Sequence, residues 1–428
     1  MALNLACVGR AEGLKEINPP KEPDSNETTA LVGARLIDGR GGPPIENAVV
    51  VVRGSKLIAV GRRGSTAIPR DAKQIDASGM SLLPGLIDSH FHSVNDLKSP
   101  VELLLKRGVT TFRDPGHPFR FYQAVMQTDT PMPRVFLCGA HLDAYPPVWA
   151  QQAVIVKDAD HAGRAVHQHV DRGASAIKIY FRLPLEYFPA VCQAAKQRGV
   201  LVTAHLELVD DDDAIRAGVR GIEHTSSFGT TLAESEQAEQ FRSVVAADPN
   251  ARKELRYRMW AALDLDSSPR VKPLLDLIVK HNVFVSPTLS VYERRAGEKG
   301  ATVVQEQGFA NMMRFAGMCH AAGAKVVVGS HTWGPFVKQG WPYQRELELL
   351  VDSGLTPLEA ITADTLDNAQ FFGAEDRLGS IEPGKSADLL LVAGNPAKDI
   401  RAMYNVRHVM LNGVWMRTPP NESTTKNK

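Results

Sequence analysis

Hydrophobic and polar positions follow two patterns along this chain. Short apolar runs separated by glycine and proline lie near both ends, a pattern typical of small β domains. Between them, apolar strands alternate with longer amphipathic segments. The eight strands predicted there are 86–90, 110–114, 135–138, 176–180, 201–205, 221–224, 283–286 and 325–329. This alternation predicts an α/β fold, a (β/α)8 TIM-like barrel with a small β-sandwich domain built from both chain ends.

These patterns divide the sequence into four parts. We expect an N-terminal arm over 1–27, because it is polar and rich in proline. We expect segments 28–81 and 378–417 to form the composite β-sandwich domain, and 82–377 to form the (β/α)8 barrel. Residues 418–428 are polar and predict a disordered tail.

Composition excludes several classes of partner. The 428 residues are 43% apolar and 23% charged, with a formal net charge of +1, so we expect no nucleic-acid or membrane partner. The 4 cysteines form no Cys-x-x-Cys pair and the N-terminus has no long apolar run, which predicts reduced thiols and a cytoplasmic location. The expected partners are a small-molecule substrate and further copies of the chain in a homo-oligomer.

Candidate chemistry lies where the predicted strands end. His90 and His92 are two residues apart, so on a strand both imidazoles face one side and make half of a metal site. In this barrel architecture, sites form at the C-terminal ends of strands. Further candidate ligands at or just past such ends are Lys178, His205, His224 and His331.

Lys178 has two readings. Its neighbours Ile177 and Ile179 face the opposite way, so Lys178 points into the barrel if they pack outward. A buried ammonium tends to lose its charge, and a neutral amine can react with carbon dioxide to form a carbamate that bridges two metal ions. The alternative is a lysine that extends to the barrel mouth and binds substrate.

Several motifs together resemble those of the metal-dependent amidohydrolase superfamily, in its imidazolonepropionase-like and prolidase-like branch. The matching segments are 84–92, 108–114, 177–179, 203–205, 221–224 and 378–389. The resemblance implies two divalent metal ions, most often Zn2+. His90 and His92 would hold one ion and His205 and His224 the other. Lys178, carboxylated by carbon dioxide, would bridge them, with a bridging hydroxide as nucleophile.

The last barrel strand departs from the family pattern. His331 stands where family members usually carry an aspartate that binds metal and shuttles a proton. We expect His331 to lie near the metals, as ligand or as catalytic base, and not both at once. The alternative is that His331 has turned away and water replaces the aspartate. The candidate substrate-binding residues are His141, Tyr180, Arg182 and Trp333.

These observations predict a metal-dependent hydrolase that cleaves an amide C–N bond in a dipeptide-like, N-acyl or cyclic substrate. A lyase, isomerase or ester or lactone hydrolase on the same scaffold is the alternative, because His331 replaces the usual aspartate. A third possibility is a catalytically silent scaffold protein. The chain keeps the other five ligand residues that the resemblance implies, and this argues against that possibility. They are His90, His92, Lys178, His205 and His224. Specificity lies in the loops after the strands, so the sequence does not identify the substrate.

Overall fold

The computed structural model describes residues 16, 18–23, 27–93, 99–123 and 131–416. Most of the predicted N-terminal arm and the whole predicted tail lie outside these residues. The strands are β1 (Thr28–Leu36), β2 (Ile45–Arg53), β3 (Lys56–Arg62), β4 (Lys73–Asp76), β5 (Met80–Pro84), β6 (Leu86–Asp88), β7 (Val109–Asp114), β8 (Arg134–Leu137), β9 (His141–Asp143), β10 (Ala153–Ile155), β11 (Ala176–Ile179), β12 (Leu201–Ala204), β13 (Gly221–Glu223), β14 (Phe284–Ser286), β15 (Lys325–Val326), β16 (Leu389–Ala393), β17 (Val406–Leu411) and β18 (Val414–Met416).

Helices fill the connections between most barrel strands. The α-helices are α1 (Ser99–Leu103), α2 (Ala159–Asp171), α3 (Phe188–Gln197), α4 (Asp211–Ala217), α5 (Gly229–Leu232), α6 (Ser235–Ala247), α7 (Arg252–Ala262), α8 (Val271–Lys280), α9 (Leu289–Tyr292), α10 (Val303–Ala321), α11 (Pro342–Asp352), α12 (Pro357–Thr362) and α13 (Asn368–Phe372). A π-helical turn, Ala363–Asp367, joins the last two. Thr302 and Thr356 begin α10 and α12 with capping boxes, which satisfy amide groups of the first turn.

Strands from both chain ends form one sheet. Its order is β18-β17-β16-β5-β1-β2-β3, with β4 paired to β1. Strand β5 connects the two ends, because it pairs in parallel with β1 and antiparallel with β16. Leu31, Val50 and Leu389 belong to one buried apolar cluster of this sheet. The ends therefore associate as expected, while the two layers of a sandwich stay a prediction.

The central part carries parallel strands in two groups. One sheet has the order β10-β9-β11-β12-β13-β14-β15, and a smaller sheet has the order β6-β7-β8. Hydrogen bonds join them at both sides: the Ser89 amide donates to Val328 (2.9 Å) and the Ser175 amide donates to Leu137 (2.8 Å). Strands buried on both faces explain the apolar run that ends at Val328. This arrangement fits the predicted TIM-like barrel.

A buried ion pair connects the barrel to the terminal sheet. The guanidinium of Arg134 on β8 makes two contacts with the Asp388 carboxylate, at 2.9 and 3.2 Å. Asp388 also accepts the Asn412 amide at 2.7 Å. Both charged side chains are buried, and Arg134 also contacts Glu16 at 3.1 Å, so a buried charge network joins the barrel to the terminal sheet.

Candidate metal centre

Asp88 holds together two backbone segments that form the site. It ends β6, is fully buried, and its Oδ1 accepts the backbone amides of His90 and Ser330, both at 3.0 Å. This carboxyl therefore holds the first histidine motif against the loop that follows β15. The His331 amide strengthens the junction by donating to the His90 carbonyl at 2.7 Å.

Four imidazoles meet at the carboxyl ends of the strands. The Nε2 atoms of His90 and His92 are 3.1 Å apart. The His90 ring lies 4.6 Å from His224 and 5.1 Å from His331 between centroids. One ring nitrogen each from His90, His224 and His331 falls within 4.8 Å of the others. The structure thus places His331 inside the cluster, so its side chain has not turned away.

Three contacts orient His205 and His224, the histidines that directly follow β12 and β13. The His205 ring lies 4.4 Å from the His224 ring. His205 Nε2 contacts Glu207 Oε1 at 3.1 Å, and His224 Nδ1 contacts Thr288 Oγ1 at 2.6 Å. A partner on one ring nitrogen fixes the tautomer and leaves the other nitrogen for a metal.

Burial keeps the histidines neutral. Loss of solvent lowers the pKa of His331 to about 3, and neighbouring histidines act in the same direction. The pKa values of His92, His205 and His224 are also well below the usual value, mainly through burial. Neutral imidazole is the form that binds metal, so this donor set fits divalent ions such as Zn2+.

Lys178 lies inside the barrel, as its alternation on β11 predicts. Ile177 and Ile179 join the main apolar core, whereas the Lys178 side chain is 4% exposed and its ammonium contacts Glu223. Burial lowers the pKa of Lys178, although the Glu223 charge acts in the opposite direction. The lysine is thus held beside the histidine cluster and does not extend to the barrel mouth.

Glu223 is a central residue that sequence reasoning missed. Its carboxylate contacts Lys178, lies 2.8 Å from His90 Nδ1 and accepts from Arg113 at 2.9 Å. Burial opposes its ionisation, but the charges of Lys178 and Arg113 and the hydrogen bond with His90 outweigh burial and hold its pKa well below the usual value. The sequence did carry one signal for Glu223, because an acidic residue inside a buried strand, directly before His224, is unusual.

A second group of possible ligands adjoins the first. His92, Asp114 and His117 each offer one atom within 4.8 Å of the others. The Asp114 carboxylate accepts several hydrogen bonds, including those from Tyr122 Oη at 2.5 Å and His117 Nδ1 at 2.8 Å. Burial raises its pKa, but these partners outweigh burial and lower it below the usual value. Asp114 therefore supports the His92 side of the cluster.

The histidine cluster forms the floor of a cavity of about 480 Å3. His141, Tyr180 and Trp333 line it, and their role in substrate binding stays a prediction. Arg182 is not among the lining residues, because its guanidinium donates to the Ala246 carbonyl at 2.9 Å instead. Sequence reasoning missed Trp149, which also lines the cavity and donates to the Tyr180 hydroxyl at 3.1 Å.

Comparison with known proteins agrees with this geometry. A family model described as the amidohydrolase family matches residues 81–416. The chain belongs to the amidohydrolase family. This result confirms the family predicted from the strand-end motifs. Within the part of the chain that the structure describes, no helix is both long and apolar enough to cross a membrane.

Two solved structures are similar to this chain over most of its length. A structure from Bifidobacterium longum, described as a candidate prolidase, is 27% identical with a TM-score of 0.70, over 92% of this chain and 96% of that one. A Xaa-Pro dipeptidase with bound methionine shares the fold, with a TM-score of 0.68 at 22% identity, over 91% of this chain and 100% of that one.

Curated relatives match over shorter parts of their length. An adenine deaminase of Mesorhizobium japonicum is 23% identical over 86% of this chain, but the match spans 54% of that protein. An N-acyl-D-aspartate deacylase of Alcaligenes xylosoxydans xylosoxydans is 41% identical over 83 residues, which are 19% of this chain and 16% of the relative. These matches support the family and do not identify a substrate.

Proposed function

We propose that the protein is a metal-dependent hydrolase that cleaves a C–N bond, an amide in a dipeptide-like, N-acyl or cyclic substrate. The observation that carries the proposal is the convergence of neutral imidazoles at the floor of a cavity, beside a buried lysine. Family membership and relatives described as a dipeptidase and a deacylase support this reaction class.

The proposed metal ligands are His90, His92, His205, His224 and His331. Two divalent ions, in our proposal Zn2+, would polarise the scissile carbonyl and lower the pKa of the attacking water. Carboxylated Lys178 would add an anionic ligand between them. Its burial supports this modification, because a lowered pKa increases the fraction of neutral amine that can react with carbon dioxide.

Residues above the cluster would bind the substrate. His141 Nε2 is buried without a hydrogen-bond partner among the described residues, so it is available to a substrate carbonyl or carboxylate. Burial raises the pKa of Tyr180 to about 12, so its hydroxyl stays protonated. Because that oxygen accepts from Trp149, its proton is free to be donated to the substrate. Trp333 is 56% exposed and would cover an apolar part of the substrate.

His331 favours a second candidate reaction on the same scaffold. Its imidazole brings no negative charge, unlike the aspartate usual at this position, so the centre is more positive by one unit. Such a centre favours anionic substrates and leaving groups that need less protonation than an alkyl amine. Ester or lactone hydrolysis, elimination and isomerisation are therefore the alternatives to amide cleavage.

One experiment separates these reactions. Purified protein, loaded with Zn2+ or Mn2+, is incubated with a panel of dipeptides, N-acyl amino acids, cyclic amides and lactones, and the amine product is measured by mass spectrometry. A free amine from an open amide and a ring-opened amino acid from a cyclic amide both count as amine release. The proposal predicts amine release that a chelator abolishes and added metal restores. Turnover without amine release would favour the alternatives, and amine release unaffected by the chelator would contradict the metal-dependent proposal.

A further inference from the structure

One wall of the cavity is strongly basic. Helix α7 places Arg252 and Arg256 one turn apart on the same face, and both line the cavity while remaining 6% exposed. Lys253 and Arg294 line the same cavity nearer its mouth. We call Arg252, Lys253, Arg256 and Arg294 the basic wall. Among the described lining residues there is no aspartate or glutamate.

The charge of the basic wall is only partly balanced. Glu207, behind the wall, contacts Arg256 at 3.3 Å and Arg252 at 4.0 Å. Within the described residues, the buried Nε of Arg252 has no hydrogen-bond partner. Arg252 and Arg256 therefore share one carboxylate, and that carboxylate also contacts His205. Buried guanidinium groups are costly without anionic partners, so the wall is suited to an anionic ligand.

The basic wall also lies next to the metal cluster. Glu207 Oε1 is 3.1 Å from His205 Nε2 and 3.3 Å from Arg256 Nη2, so one carboxylate separates a proposed metal ligand from the wall. An anion bound by Arg256 is therefore close to the bond being cleaved. Side chains one helical turn apart, about 5–6 Å between Cβ atoms, suit two carboxylates joined by a short aliphatic chain.

We propose that the basic wall selects substrates whose amine part carries two carboxylates, namely N-acyl or peptidyl derivatives of an acidic amino acid. One carbon atom separates the α-carboxylate from the scissile nitrogen. The α-carboxylate would therefore bind Arg256, which lies close to the histidine cluster. The side-chain carboxylate reaches the next turn of α7 at Arg252. Lys253 and Arg294 attract the dianion at the mouth. This inference rests on the proposed amide hydrolysis and narrows its substrate.

The test compares substrates that differ by one charge. N-acetylglutamate is compared with N-acetylglutamine, and N-acetylaspartate with N-acetylasparagine, as both enantiomers. For at least one pair we expect kcat/KM to be about 10- to 100-fold higher for the acidic member. Arg252→Gln should reduce that preference about tenfold, and Lys253→Gln should reduce it less. Arg258→Gln, on an exposed position of α7 away from this cavity, should leave it unchanged.

Binding of the free amino acids gives a second readout that does not depend on turnover. Calorimetry should show that glutamate or aspartate binds about tenfold more tightly than its amide counterpart, and that Arg252→Gln removes the difference. Equal kcat/KM for acidic and neutral substrates would overturn this inference while leaving amide hydrolysis intact. If no amide is cleaved, equal or absent binding of the acidic and neutral amino acids would overturn it as well.

Discussion

At the scale of single residues, Lys178 and Glu223 carry the main question about the site. The family resemblance implies a carbamate on Lys178, whereas the unmodified ammonium pairs with Glu223. Carboxylation would replace this cation with an anion beside a carboxylate. Arg113, which is buried and 2.9 Å from Glu223, would remain as the neutralising partner. The metal ions would supply the other positive charges.

Carboxylation of Lys178 gives a direct prediction. Metal-loaded protein in 13C-bicarbonate should show a carbamate signal by NMR, and Lys178→Ala should lose that signal, most of the activity and most of the second metal. Short carboxylates such as acetate should partly restore activity, because they can occupy the place of the bridging group. Lys196→Ala, on the outer helix α3, is the matched control. Full metal content and full rate in Lys178→Ala would contradict the bridging role.

His331 supports a prediction about metal and pH. His331→Ala should lower metal content, because the ring lies within the ligand cluster. His331→Asp should keep the metal and shift the pH–rate profile, because aspartate adds a negative charge and raises the pKa of water at the centre. Metal analysis and pH–rate profiles of both variants test this. Wild-type metal content and rate in both would show that His331 has no role.

Single residues differed in how far the sequence predicted them. His90, His92, His205 and His224 were found because they end apolar strands, and strand ends of a barrel converge. Glu223 was missed because strict alternation puts it on the face opposite His224. His224 has a φ of 71°, which breaks that alternation. Arg182 was predicted to bind substrate but does not line the cavity, because the side chain of a residue just past a strand end need not point toward the cavity.

At the scale of elements, the connection between barrel and terminal sheet supports a stability prediction. Asp388→Asn removes one of the two carboxylates that contact Arg134, whose side chain is 4% exposed, and leaves Glu16 at 3.1 Å as the other. Loss of this buried partner should cost about 2 kcal/mol of unfolding free energy. Glu46→Gln, in the exposed pair with Arg35, should cost less than about 1 kcal/mol. If urea unfolding showed that both substitutions lower the unfolding free energy equally, the stabilising role of the Arg134–Asp388 pair would be contradicted.

Element boundaries were only partly predictable. The sequence indicates one long helical stretch over 234–279, but the structure has three helices, α6, α7 and α8. Pro249 and Pro269 lie between them, where a proline cannot continue a helix. Strands β9 and β10 were not predicted, because each spans only 3 residues and gives no periodic signal. His141, expected just past the third strand, begins β9.

At the scale of the whole molecule, the buried neutral histidines predict acid sensitivity. The folded-state pKa values of His141 and His331 are about 3, mainly through burial, against about 6.5 when unfolded. The unfolded chain therefore binds more protons below pH 6.5. Each of these histidines should therefore lower the unfolding free energy by about 1.4 kcal/mol per pH unit as the pH decreases from 6.5 toward 3, whereas buried carboxyls with a raised pKa, such as Glu346 at about 8, act in the opposite direction.

Urea unfolding of metal-free protein between pH 7.5 and 5 measures this dependence. His141→Asn should make the slope shallower, because it removes one group that the folded state keeps neutral. His408→Asn, at an exposed position of β17, should leave the slope unchanged. An unfolding free energy whose pH slope is the same in His141→Asn as in the wild type would contradict the account.

The central claim is that the strand-end histidines and Lys178 hold divalent metal ions, and metal content tests it most directly. Wild-type protein reconstituted with Zn2+ and separated from free metal should retain two ions per chain by mass spectrometry. His224→Gln should retain fewer, because His224 contacts both His90 and His205. His408→Asn should match the wild type. Wild-type protein that retains no metal, or His224→Gln that retains as much as the wild type, would contradict the claim.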